Sequence, residues 1–110
     1  MSAKPLAMVL TFLVIGVGLT RAAAAEEKVT RDEGRELFLK KCAMCHGENG
    51  VAKPVAKGSS NFNDPAWQKA TTDEAMAKVT LEGRNKMPKF EGKLTSEQIQ
   101  AIVEHIRKLK

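Results

Sequence analysis

Four stretches of the chain set apolar residues at helical spacing behind a capping residue. The last is the clearest: Ile99, Ile102, Val103, Ile106 and Leu109 make one apolar stripe, Thr95 and Gln98 form a capping box, and Leu94 and Ile99 stand at the positions of a hydrophobic staple. Thr30-Arg31-Asp32-Glu33 has the T-x-x-E form and opens a helix that runs to about Lys41. Thr71-Thr72-Asp73-Glu74 repeats the form, with Met76 and Val79 on an apolar face and Gly83 as the stop. Asp64 before Pro65 is an N-cap with proline at the first helical position, which starts a short helix through Trp67. No segment alternates as a strand, so the pattern predicts an all-α domain of three to four helices. The connection from Gly47 to Asn63, rich in Gly, Ser, Asn and Pro, is too long for a compact domain unless it wraps something.

A different apolar run opens the chain. Lys4 precedes it, Leu6 to Leu19 is broken only by Thr11 and two glycines, and Arg21 and Ala23-Ala24-Ala25 follow. A basic start, an apolar middle and small residues at the end are the parts of a secretory signal peptide, so residues 1–25 read as a leader and 26–110 as the mature domain. A retained membrane anchor is the lesser alternative, since the run falls short of the roughly 20 residues a span needs. Taking away 1–25 removes Lys4 and Arg21 and no acid, leaving 18 − 2 = 16 bases against 13 acids. The mature chain is mildly basic, and no nucleic-acid partner is expected. Its remaining length suits one domain. With no tyrosine, one tryptophan and four phenylalanines, one of them in the leader, such a domain is short of core.

Cys42-Ala43-Met44-Cys45-His46 accounts for the shortage. C-x-x-C-H is the signature of covalent c-type haem attachment: two thiols at this spacing add to the two vinyl groups of one haem, and the adjacent imidazole is the proximal iron ligand. Three other uses of a C-x-x-C pair fit less well. A thioredoxin-like pair follows a strand, whereas Gly34 to Lys41 reads as helix. A zinc ribbon needs a second ligand pair, but the chain has two cysteines, and its other histidine, His105, is remote. A plain disulfide would form in an oxidising compartment if thioether bonds did not consume the thiols. A buried haem would also be what the Gly47–Asn63 connection wraps.

With Cys42-Ala43-Met44-Cys45-His46-Gly47 near the mature N-terminus and Met87-Pro88 downstream, the chain resembles the small class I c-type cytochromes from Gly34 to the last helix. The resemblance implies the class I cytochrome c fold, one covalent haem c, and Met87 as second axial ligand opposite His46. A thioether is a soft ligand that favours ferrous iron, which suits the role. Met76 lies on a helical apolar face and reads as core. The family also implies that a proline carbonyl after the motif accepts the His46 Nδ1 proton, which points to Pro54; an ordinary loop proline is the alternative. Gly34 and Phe38 match the G-x-x-x-F of the family's first helix, where glycine permits close contact with the C-terminal helix. His105 departs from the pattern by standing where an aromatic partner is usual, and its expected role is packing. Trp67 either donates to a haem propionate, as in several relatives, or plugs the core.

With His46 and Met87 on the two sides of the iron no position is left for substrate, so the expected function is outer-sphere electron transfer, not an enzyme's chemistry. The resemblance implies export to the bacterial periplasm and respiratory partners. Lys53, Lys57, Lys86, Lys89 and Lys93 follow the motif and surround the methionine loop; they are either a solvated surface or a docking ring for redox proteins with acidic faces. A monomer without stable membrane insertion is expected once the leader is cleaved. The alternatives are a haem-bearing subunit of a larger periplasmic oxidoreductase and, further off, a sensor or peroxidase with a labile sixth ligand.

Overall fold

The computed structural model describes residues 29–110 continuously and, before them, only positions 2, 3, 11, 13, 15, 16 and 18. The leader expected over 1–25, with its Ala23-Ala24-Ala25 site, therefore lies outside the segment described here. Among the described residues no helix is long and apolar enough to cross a membrane.

Among the described residues five α-helices follow one another: α1 (Arg31–Lys41), α2 (Ala43–His46), α3 (Pro65–Ala70), α4 (Asp73–Glu82) and α5 (Ser96–Ile106), with a 3-10 turn at Pro54–Ala56. Among the described residues no strand forms, and the one bridge pairs Arg84 with Met87. The all-α expectation holds, with more pieces than three or four. The extra pieces are short: α2 is a single turn set off from α1 by Cys42, at φ −116°, and the 3-10 turn sits inside the connection expected to be irregular.

Capping chemistry starts the helices. Thr30 Oγ1 accepts from Glu33 N–H at 3.2 Å, and Asp64 Oδ1 accepts from Ala66 N–H at 2.9 Å ahead of Pro65. At α5 both halves of the box close, with Thr95 Oγ1 accepting from Gln98 N–H at 3.1 Å and Gln98 Oε1 accepting from Thr95 N–H at 2.9 Å. Two boundaries differ from expectation. The cap of α4 is Thr72, whose hydroxyl accepts from Ala75 N–H, not Thr71. Helix α3 continues past Trp67 to Ala70, where Thr71 N–H bonds the Trp67 carbonyl and ends it.

The core is the crossing of α1 and α5, closed on one side by α4. Phe38 and Ile102 are its fully buried centre, with Ile99, Val103, Ile106, Leu94, Ala43 and Met76 around them. Met76 is core, as its place on an apolar face predicted, and Leu94 packs beneath the start of α5 as the staple requires.

Candidate haem-attachment site

The end of α1 hands the chain to α2, and one helical turn gathers the motif. His46 N–H and Cys45 N–H both donate to the Cys42 carbonyl, at 2.9 and 3.1 Å, so the two cysteines three residues apart share a face and the histidine follows at once. Both thiols are free. Burial, then the neighbouring Cys45, pushes the Cys42 thiol up to about 11. Gly47 ends the turn at φ 76°, and a Cβ there would run into the Val51 carbonyl, so the residue after the histidine has to be glycine.

The connection that follows is closed upon itself. Phe62 N–H donates to the Gly50 carbonyl at 2.8 Å, Ala52 N–H to Asn61 Oδ1 at 3.1 Å, and Lys53 N–H to the Cys45 carbonyl at 2.9 Å. These bonds pin the connection to the motif and carry Phe62 against His46, with ring centroids 4.6 Å apart and planes inclined by 25°. Trp67 also packs against Phe62, at 4.9 Å between centroids.

His46 is half-buried, and burial lowers its basicity, which favours the neutral imidazole with a free lone pair. Of its two ring nitrogens, Nδ1 alone is sealed from solvent without a hydrogen-bond partner. Nε2 is not sealed in this way and could face a ligand. Pro54, exposed at the start of the 3-10 turn, offers its carbonyl to Lys57 N–H at 3.2 Å and not to His46. A neutral imidazole, two free thiols on one turn and a closed connection around them fit a covalently held haem.

Met87 stands in a second loop, half-buried. Arg84 and Met87 exchange backbone hydrogen bonds at 2.9 and 3.1 Å across a tight turn whose Asn85 takes φ 54°, a conformation asparagine tolerates. Gly83 ends α4 at φ 75°, where a Cβ would crowd the Met87 carbonyl at 2.7 Å. Phe90 N–H donates to the Thr80 carbonyl at 3.1 Å, tying the loop back to α4. Lys53, Lys57, Lys86, Lys89 and Lys93 are all exposed.

The matches with known proteins agree with this arrangement. The family model described as cytochrome c oxidase, cbb3-type, subunit III, covers residues 29–106. The chain belongs to the small monohaem class I c-type cytochromes. The cytochrome is 34% identical over 98 residues to cytochrome c6 of Rippkaea orientalis, a match spanning 88% of this chain and 84% of the relative. It is 30% identical over 88 residues to the cbb3-type cytochrome c oxidase subunit FixP of Azorhizobium caulinodans, where the match takes in 79% of this chain but only 30% of that much longer relative. Among solved structures, the KustC0563 c-type cytochrome superposes with a TM-score of 0.68 at 35% identity, over 70% of this chain and 96% of that one. Fold and general function follow together: this is an all-α electron-transfer c-type cytochrome.

Four residues that sequence reasoning did not single out shape the site. Phe62 stacks on His46, Asn85 makes the turn before Met87, and Gln68 and Arg107 join α3 to the end of α5. A lone phenylalanine closing a glycine-rich stretch was the available signal for Phe62. Nothing local marks Gln68 or Arg107, whose contacts between α3, α4 and α5 join residues 34 to 39 apart.

Proposed function

We propose that this cytochrome carries one electron at a time in the periplasm, on a haem c bound through Cys42 and Cys45 with His46 and Met87 as axial ligands. The observation that carries the reading is the turn Cys42–His46, which gathers two free thiols with an imidazole of which only Nδ1 is sealed. Bound haem supplies the one-electron couple. The chain supplies the rest: thiols for attachment, a neutral imidazole and a soft thioether for the axial positions, and a connection pinned to the motif. Trp67, which packs against Phe62, is assigned the propionate contact.

The partners are redox proteins with acidic faces, met by the exposed lysines of the two loops. A free, monomeric carrier is favoured because the match with cytochrome c6 spans most of that relative. The cbb3-type family match favours a second reading, a haem-bearing subunit of an oxidase. Native size-exclusion chromatography separates the two.

The test of ligation is the absorption spectrum of the purified protein, oxidised and reduced. Low-spin spectra in both states, with a long-wavelength ferric band that Met87→Ala abolishes, are the expected result. A band that survives Met87→Ala assigns the sixth position to another residue.

A further inference from the structure

An axial imidazole does its work in a fixed orientation, and a histidine side chain is free to turn unless something holds it. Here the usual restraint is missing, since His46 Nδ1 has no hydrogen-bond partner. The ring is held by its face instead. Phe62 lies against it at 4.6 Å, nearly parallel, and is itself backed by Phe38 at 6.3 Å and Trp67 at 4.9 Å.

Phe62 is fixed at both of its backbone polar groups. Its N–H donates to the Gly50 carbonyl at 2.8 Å, and its carbonyl accepts from Gln68 Nε2 at 2.6 Å. The same Nε2 donates to the Ile106 carbonyl at 2.8 Å, and Gln68 Oε1 accepts from an Arg107 guanidinium nitrogen at 3.0 Å. Both donors and the oxygen of one half-buried amide thus bind the Phe62 segment to the last turn of α5. No other side chain of this size offers two donors to two carbonyls and an acceptor to a guanidinium.

We propose that Phe62 is a positioning residue for His46, setting the plane of the imidazole, and that Gln68 holds Phe62 in place from α5. The proposal rests on the reading of His46 as an axial ligand. A carboxylate at position 68 would keep the Arg107 contact but lose both donors and set like partial charges against the Phe62 and Ile106 carbonyls. Leucine at position 62 would keep most of the volume and lose the flat face.

The orientation of an axial imidazole is read in the proton NMR spectrum of the ferric holoprotein, in the order and spread of the four haem-methyl resonances. A residue with only a packing role does not move that pattern. Wild type, Phe62→Leu, Phe62→Tyr and Gln68→Glu are compared as holoproteins with matched far-ultraviolet circular dichroism. Phe62→Leu and Gln68→Glu should each change the methyl pattern, and Phe62→Tyr, which keeps the ring face, should retain it. A wild-type pattern in Phe62→Leu overturns the role of Phe62. Should that variant not accumulate, a wild-type pattern in Gln68→Glu overturns the proposal by itself. A wild-type protein without covalent haem or without low-spin His ligation would instead sink the underlying reading, a separate outcome visible in its absorption spectrum.

Discussion

Gly34 on α1 and Ala101 on α5 meet backbone to backbone. A Cβ added at Gly34 would fall 2.6 Å from the Ala101 carbonyl carbon and 2.9 Å from its Cβ, so the helices cross at a separation that only glycine permits. Gly34→Ala should therefore destabilise the protein by about 1–3 kcal/mol, the usual cost of an overpacked site, even though alanine is the better helix former by about 1 kcal/mol. In urea the midpoint should fall with the slope unchanged. A variant as stable as wild type would show that the crossing can open without cost.

Arg107 makes contacts of two kinds. Its guanidinium pairs with Asp73 at 2.7 Å and also donates to the carbonyls of Gln68 and Thr71. Asp73 is 64% exposed, so the ion pair is a surface one and worth little, whereas the carbonyl bonds close the junction of α3, α4 and α5. Asp73→Asn should cost under about 1 kcal/mol and Arg107→Ala about 1–3 kcal/mol. Thermal unfolding of both variants checks the order. A larger loss for Asp73→Asn would reverse it.

This junction also explains where the sequence misled. Thr71 has the T-x-x-E form with Glu74, and Thr72, which lacks it, is the cap. Thr71 is already spent: its N–H ends α3 on Trp67 and its carbonyl accepts from Arg107. Helix α5 was legible in its start and its buried face because cap, staple and stripe are all local, although the helix ends at Ile106 and leaves Leu109, the last residue of the stripe, beyond it. The motif Cys42–His46 was legible for the same reason. Phe62 and Gln68 were not, since their roles arise from closure of the Gly47–Asn63 connection and from contacts with a helix some forty residues on.

His105 packs its ring on Phe38 at 4.9 Å with Nε2 buried and unpartnered, and burial, then Arg35 and Lys108, lowers its pKa from the ordinary value near 6.5. The folded state thus binds the proton less readily than the unfolded one. Stability from this site is complete above about pH 6.5 and is lost as pH falls below it toward the folded pKa. Urea midpoints at pH 7.5 and 5 should differ more for wild type than for His105→Phe. Equal differences would assign the acid sensitivity elsewhere.

If Lys53, Lys57, Lys86, Lys89 and Lys93 steer an acidic partner, the bimolecular electron-transfer rate with a negatively charged acceptor should fall steeply through the ionic strengths where the Debye length is about 10 Å. Lys86→Glu with Lys89→Glu should remove most of that dependence and leave the spectrum unchanged. A rate that is flat in salt for wild type would make these residues a solubilising surface only.

The central claim is covalent attachment through Cys42 and Cys45, and the most direct measurement is haem staining of the polypeptide after denaturing gel electrophoresis, with the protein expressed beside the cytochrome c maturation machinery. Haem should migrate with the wild-type chain, persist through acid-acetone extraction, and be absent from the band of a Cys42→Ser, Cys45→Ser variant. A wild-type band without haem would contradict the account.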